Sequence, residues 1–212
     1  NILENKIQEL NQDKLVHGIL IQLPLPKHLN KDSILSKVSL NKDVDGFHFD
    51  NMGRLAIDRN PLFTPCTPDG CIEILKMIGI DFLGKKAVVI GKSAIVGLPL
   101  SLMLLNLGAT VTVCHINTKN IKEETKTADI LFVACGSKHL VKKDWIKENV
   151  IIIDIGINSV EDKTKKRGYR LVGDVDFEDV KDKVSYITPV PGGVGPMTIC
   201  MLMKHTLQAC KK

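Results

Sequence analysis

The sequence predicts an α/β fold built on a parallel sheet with helices on both of its faces. Three observations carry this expectation. From residue 86 onward, short runs rich in branched apolar residues alternate with segments of helical spacing. Strands that alternate with helices in this way pair in parallel, because each crossover returns the chain in the same direction. A glycine-bearing turn, Gly91 to Gly97, joins the first of these runs to the first helical segment. The composition, 44% hydrophobic and 25% charged over 212 residues, is that of a globular chain long enough to bury a core without staples.

The elements follow in order. Residues 2–10 have helical spacing through Leu3, Ile7 and Leu10. The first residue is Asn, inside that pattern, so the chain reads as a fragment whose start is missing. Residues 16–23 form a short apolar run, read as a buried strand that Pro24 and Pro26 end. Residues 31–38 read as a helix and 41–46 as a polar turn. The stretch 47–67 has no clean period and carries Gly53, Pro61 and Pro65, so loop with short extended pieces is expected. Thr67 is the expected N-cap of a helix with Pro68 at its first position; it runs to Met77 and Gly79 closes it. Strands are then expected at 86–91, 109–114, 129–134 and 150–155, with helices at 96–107 and 119–127. Residues 158–171 are polar and read as a hairpin or excursion. Residues 186–188 form a last short strand, 189–196 a rigid proline–glycine loop, and 197–209 a terminal helix.

Several function classes are excluded. The net charge of +5 is mild, and the densest basic run, Lys163 to Arg167, sits among turn residues as a solvated loop. No nucleic-acid partner is expected, although a small anionic ligand suits the balance. No apolar run approaches the length of a membrane span, and no signal peptide is visible. The six cysteines form no C-x-x-C pair; Cys114 and Cys135 lie in runs read as strands, so reduced thiols are expected. The histidines, His48 and His115 among them, show no metal spacing, and no metal is expected. Ser93 has no recognisable His–Asp partner for nucleophilic catalysis.

Candidate site residues fall in two places. The turn Gly91-Lys92-Ser93-Ala94-Ile95-Val96-Gly97 has the form G-x-S-x-x-x-G. Its glycines let backbone approach a pyrophosphate, and the helix N-terminus favours negative charge. In sheets that bind NAD, an acidic residue near the end of the second strand holds the ribose 2′-hydroxyl. Here that strand runs into Cys114-His115-Ile116-Asn117-Thr118-Lys119, without an acid, and Lys92 offers a positive charge. NADP is therefore favoured, with NAD also compatible. Upstream, Gln22 ends an apolar run before a proline turn, where its amide either ties down the following loop or orients a substrate or base. Asp43-Val44-Asp45-Gly46 is a turn sequence that lacks calcium-loop spacing. An ionised carboxylate there accepts two parallel hydrogen bonds, the pair that a pterin's ring N–H and amino group present.

Five segments together resemble the methylenetetrahydrofolate dehydrogenase/cyclohydrolase family: Gly18-Ile19-Leu20-Ile21-Gln22-Leu23-Pro24-Leu25-Pro26, Lys42-Asp43-Val44-Asp45-Gly46-Phe47, Pro65-Cys66-Thr67-Pro68, Val89 to Pro99, and Tyr186 to Thr198. The resemblance implies a Rossmann-like NAD(P)-binding domain over 68–195 and a smaller α/β catalytic domain over 1–67 and 196–212, with a cleft between them. It implies oxidation of 5,10-methylenetetrahydrofolate with NADP, hydrolysis of the methenyl product to 10-formyltetrahydrofolate, and a cytoplasmic homodimer. Position by position, Gln22 resembles the amide that holds a catalytic lysine, and Asp45 the carboxylate that grips the pterin. Pro191 and Gly192 resemble substrate-wall residues. Thr67, Gly91, Lys92, Ser93, Ile95, Ile116 and Gly195 resemble cofactor contacts. Two departures are visible. The family's lysine, in a Tyr-x-x-x-Lys segment, falls upstream of residue 1. Many members have Arg at the position of Lys92 and some have Ser at Ile116, and Lys cannot form Arg's planar fork. A non-catalytic ligand-binding or dimerisation fragment, and another Rossmann-type dehydrogenase, are the alternative readings.

Overall fold

A computed structural model describes residues 2–57 and 60–211. Residues 1 and 212, and residues 58 and 59 of the stretch expected as loop, lie outside the described residues. The predicted sheet is present. β1 (Lys86–Ile90), β2 (Thr110–Cys114), β3 (Ile130–Val133), β4 (Ile151–Asp154) and β7 (Tyr186–Ile187) pair in the order β2-β1-β3-β4-β7, every pair parallel. Alternate residues of β1 serve opposite faces, as strand pleating requires. Ala87 and Val89 pack with Leu75, Leu100 and Leu104 on one side, while Val88 and Ile90 join Leu131, Ile152, Trp145 and Val180 on the other. Both faces are dry at the central strands β1, β3 and β4, which is why these read as continuous apolar runs rather than alternating ones.

The helices on the first face are α4 (Cys66–Met77) and α5 (Gly97–Asn106). Gly79, at φ 75°, ends α4 as expected. Its N–H donates to the Lys76 carbonyl and the Ile80 N–H to that of Leu75, both at 3.0 Å, the paired bonds of a glycine-closed helix end. α6 (Ile121–Lys126) lies against the other face, where Thr125 donates to the Trp145 carbonyl at 2.6 Å. The excursion is a hairpin of β5 (Asn158–Glu161) and β6 (Tyr169–Val172), antiparallel, with the Lys163 to Arg167 run exposed at its tip. A short α7 (Phe177–Val180) precedes β7.

The N-terminal part departs more from expectation. α1 (Ile2–Gln12) and α2 (Lys31–Leu35) form, the latter ending three residues early. Residues 16–23 are not a strand. Ile19 is buried against Ile7, Ile34 and Val38, but the segment makes no ladder among the described residues, and its Ile19 N–H donates to the Lys42 carbonyl at 2.7 Å. The stretch expected as loop contains α3 (Phe49–Ile57). Its inward positions are Asn51 and Leu55, four apart; the first is polar, so the apolar period is masked. Asn51 earns its burial by accepting from the Leu62 and Phe63 N–H groups at 2.9 and 3.2 Å.

Three smaller expectations change. α4 starts at Cys66 after Pro65, so Thr67 lies inside the helix rather than capping it. α8 (Val194–Cys210) begins three residues before 197, because Pro196 falls in its first turn, where a missing N–H costs nothing. Cys135 lies just past β3 and is exposed, while Cys114 is in β2 and buried.

Lys42 ties α1 to the turn that carries the two aspartates. Its ammonium donates to the Leu10, Asn11 and Asp13 carbonyls, each at 2.8 Å, at the end of the helix where carbonyls lack partners. Its own carbonyl accepts from the Ile19 and Val44 N–H groups. The turn is then pressed onto the chain before α4. Gly46, at φ 76°, comes so close to Thr64 that a Cβ would lie 2.4 Å from the Thr64 carbonyl carbon.

Candidate functional site

Two cavities meet between the N-terminal segments and the ends of the parallel strands. One, of about 270 Å³, is lined by Gln22, Asp45, Phe47, Cys66 and Ile95. The other, of about 630 Å³, is lined by the end of β4 and the loop from Pro189 to Gly195. Thr67, Val96, Thr198 and Ile199 line both, so the two form one crevice. The structure thus brings together Gln22, Asp45, Thr67, Ile95, Pro191, Gly192 and Gly195. Val96, Thr198 and Ile199 stand at the junction and carry no motif chemistry that would single them out.

The two aspartates of the D-V-D turn have different fates. Asp43 is buried and fully engaged, accepting from the Phe47 and His48 N–H groups and from Asn51 Nδ2 at 3.2, 2.8 and 2.8 Å. It builds the turn that leads into α3. Asp45, two residues on, lines the smaller cavity. Burial pushes its carboxyl above the ordinary aspartate value. The nearby Asp43 raises it further, while hydrogen bonding from Cys66 and the charge of His205 act against the rise. The Cys66 thiol, also pushed up by burial and by Asp45, is no ready nucleophile. Gln22 is exposed on the cavity wall, and its Nε2 donates to the Leu23 carbonyl at 3.0 Å, which ties down the proline turn.

On the nucleotide side, Gly91 sits at φ 122°, and a Cβ there would meet the Ala134 carbonyl oxygen at 2.3 Å. A Cβ on Gly97 would lie 1.9 Å from the Gly91 carbonyl oxygen. These glycines let the turn fold flat between β1, β3 and α5. Ser93 caps α5: its Oγ accepts from the Val96 and Gly97 N–H groups at 3.2 and 3.4 Å. Lys92 is exposed at the head of α5, and Ile116 is 98% exposed just past β2. Neither lines the two cavities. The residues fit a nicotinamide dinucleotide in three respects. The strand-to-helix turn has its glycine packing, no acid follows β2, and at Gly192 and Gly195 the space a Cβ would take is open.

One polar centre gave no motif. Asp154, at the end of β4 and on the wall of the larger cavity, accepts from the Gly156, Asp174 and Val175 N–H groups at 3.1, 3.0 and 2.9 Å. Asp174 accepts from the Cys135 and Gly136 N–H groups and from Asn158 Nδ2. Together they pin the base of the β5–β6 hairpin beside the crevice. Burial raises the Asp154 carboxyl to about 6 against these bonds. Each lies in an apolar or turn sequence that signals only an end of a strand. Among the described residues no group of histidine, cysteine or carboxylate side chains could hold a metal ion.

Comparison with known proteins agrees with this geometry. The family profile described as the NAD(P)-binding domain of tetrahydrofolate dehydrogenase/cyclohydrolase matches residues 65–212, and that of its catalytic domain matches residues 1–45. Bifunctional protein FolD 2 of Arabidopsis thaliana is 53% identical over 211 residues, 99% of this chain and 71% of the relative. The crystal structure of the bifunctional FolD methylenetetrahydrofolate dehydrogenase/cyclohydrolase of Campylobacter jejuni superposes with a TM-score of 0.93 at 52% identity, covering 100% of this chain and 73% of that one. The Trypanosoma brucei enzyme, solved with NADP cofactor and an inhibitor, gives 0.95 at 44% identity over 99% of this chain and 72% of its own. The chain belongs to the tetrahydrofolate dehydrogenase/cyclohydrolase family.

Proposed function

We propose that this chain binds 5,10-methylenetetrahydrofolate in the crevice, oxidises it with NADP to the methenyl form, and takes part in hydrolysing that product to 10-formyltetrahydrofolate. The observation that carries the reading is the continuity of the two cavities: the wall that holds Gln22 and Asp45 meets the wall formed by the 189–195 loop through four shared residues. A folate head group held at one end therefore lies beside a nicotinamide at the other. NADP, when bound, supplies a hydride acceptor.

The chain's own contribution is orientation and the exclusion of water. Asp45 accepts from the pterin ring N–H and amino group, and its half-buried position strengthens that pair. Pro191 and Gly192 form the apolar wall on which the substrate lies. The hydride leaves the bridging methylene carbon, which becomes the methenyl cation. In the second step, the oxygen of water bonds to that carbon and the carbon–N5 bond breaks; one of water's two protons passes to N5 and the other leaves to solvent, carrying away the positive charge of the cation. Gln22 orients the groups that serve this step. Thr67, Ser93, Ile95, Gly91 and Gly195 contact the cofactor, with Lys92 and Ile116 at the 2′-phosphate. Residues 1–67 with 196–212 form the folate-facing unit and 68–195 the cofactor unit, a division supported by the packing of Ala209 and Leu202 on Val44 and Phe63. No helix among the described residues is long and apolar enough to cross a membrane. A cytoplasmic homodimer that feeds one-carbon units to purine biosynthesis completes the proposal, with six unpaired cysteines suiting a reducing compartment.

The test is Asp45→Ala, with NADPH formation and methenyl hydrolysis measured separately. Loss of about 100-fold or more in kcat/KM for both steps is expected, since a charged, partly desolvated pair is removed. Wild-type kcat/KM for both would refute the assignment.

A further inference from the structure

Behind the folate-facing carboxylate, on the side away from the cavity, lies a histidine that no motif marked. His205 is on α8 and is 4% exposed. Its Nδ1 is 3.0 Å from the Val44 carbonyl oxygen, and its Nε2 is 3.2 Å from Asp69 Oδ2 on α4. Both partners are acceptors. A neutral imidazole has one N–H, so the ring satisfies both only with a hydrogen on each nitrogen, as the imidazolium. The Cys66 thiol has a single S–H for three neighbours, the Val44 carbonyl at 3.3 Å, His205 Nδ1 at 3.6 Å and the Asp45 carboxylate, so the 3.0 Å contact of Nδ1 with Val44 is the one that calls for a hydrogen on the ring. The Phe63 ring packs on the imidazole, with centroids 5.5 Å apart.

Two carboxylates act on this ring: Asp69 on α4, 3.2 Å from Nε2, and Asp45 on the turn that precedes α3, with the neutral Cys66 thiol beside it. Asp43, beside Asp45, is held by two backbone N–H groups and the Asn51 amide, with the His48 charge acting on it as well. A buried cation there offsets a cluster of carboxylates that would otherwise repel one another. Its bond to Val44 also fixes the backbone one residue before Asp45, and Gly18 and Gly46 leave that segment no slack, since a Cβ on Gly18 would meet Val44 at 2.7 Å.

We propose that His205 is a positioning residue for Asp45: from α8 it clamps the Val44 carbonyl and offsets the negative charge of the folate-facing carboxylate from behind. This rests on the reading of Asp45 as the pterin anchor. It assigns to the terminal helix a role in folate recognition that is separate from its packing.

The experiment compares His205→Asn, His205→Leu and Asp45→Asn on the full chain. Each is assayed for folate KM, NADP KM, kcat and the pH profile of kcat/KM. The asparagine amide keeps a donor near the place of Nδ1 and removes the charge. His205→Asn is expected to raise folate KM about fivefold and to move the acid limb of the profile to higher pH, with NADP KM unchanged. The sign follows from the charge: without a cation beside it, Asp45 ionises less readily. His205→Leu, which also strands the Val44 carbonyl, is expected to raise folate KM at least tenfold. Nitrogen NMR of the unmodified protein at neutral pH should show both ring nitrogens of His205 protonated, a readout that needs no variant to fold. A ring with one protonated nitrogen overturns the proposal. So does a folded His205→Asn protein with unchanged folate KM and acid limb. If Asp45→Asn abolishes folate saturation while His205→Asn changes nothing, only this inference fails. If Asp45→Asn leaves folate KM unchanged, the anchor assignment fails and this inference with it.

Discussion

Replacing Lys42 with methionine isolates a single ammonium that holds α1 to the turn bearing Asp45. The ammonium makes three bonds of 2.8 Å to the carbonyls of Leu10, Asn11 and Asp13. A hydrogen bond to a charged group contributes about 1.5–3 kcal/mol net. The three do not add, because one ammonium serves all of them and water reaches the Asp13 carbonyl once the lysine is gone. The positive charge at a helix C-terminus adds about 0.3–1 kcal/mol. Methionine preserves most of the apolar stem, so packing changes little. The expected loss is about 2–3 kcal/mol, read as a lower midpoint in urea unfolding at unchanged slope. Because the Lys42 carbonyl holds the Ile19 and Val44 N–H groups, folate KM should rise while NADP KM stays fixed. A midpoint within about 0.5 kcal/mol of the parent at the same slope would show that the three carbonyls find equivalent partners in water, and the clamp would be dismissed.

Three further outcomes are expected. Gly97→Ala should destabilise despite alanine's helix preference. That preference is worth about 1 kcal/mol. The new Cβ would sit 1.9 Å from the Gly91 carbonyl oxygen, and relief of such overlap in a packed turn costs about 1–3 kcal/mol; a thermal midpoint at or above the parent's would refute the close packing of strand and helix there. Lys92→Ala should raise KM for NADP about fivefold and leave KM for NAD unchanged, the gap closing as salt is added, since an exposed charge is worth about 1 kcal/mol; equal effects on both cofactors would remove Lys92 from the 2′-phosphate. Asp154→Asn should flatten the pH dependence of stability between about pH 4 and 6. The folded carboxyl is raised to about 6, so the folded state binds more protons than the unfolded one in that window. Its stabilising contribution is full below the unfolded value and is lost as pH rises through the folded value. A parent protein whose unfolding free energy in this window has the same slope as the variant's would contradict the shift.

The cofactor half was legible in the sequence because its signals are local. The central strands β1, β3 and β4 are buried on both faces, so branched apolar residues run together, and the turn after β1 carries glycines that mark it in the sequence. The ends of β1 to β4 fall within one or two residues of expectation. The N-terminal half was less legible because its order comes from polar contacts between segments far apart. α3 went unseen since its buried anchor is Asn51, whose worth lies in the Leu62 and Phe63 N–H groups. Residues 16–23 have strand composition, yet the Ile19 N–H goes to the Lys42 carbonyl, which no periodicity links to Ile19. Pro196 suggested a boundary, but a helix tolerates proline in its first turn, so α8 begins earlier.

The site shows the same division at the level of single residues. Asp43 and Asp45 are identical in type and two apart, and nothing local says which is structural. What separates them is reach. Asp43 meets the N–H groups of its own turn and the amide of Asn51, which engage both of its oxygens inside the fold. Asp45, beyond Val44 in the same turn, lines the cavity and feels the field of His205 from a helix 160 residues downstream. A half-buried carboxylate that lines a cavity, takes its internal hydrogen bonds from Cys66 and feels the charge of His205 is prepared for an external ligand that brings N–H groups. It is poorly prepared for one that brings a negative charge, because Asp43 already repels charge there. Under the proposed function, that wall takes the folate head group rather than the phosphates of the cofactor.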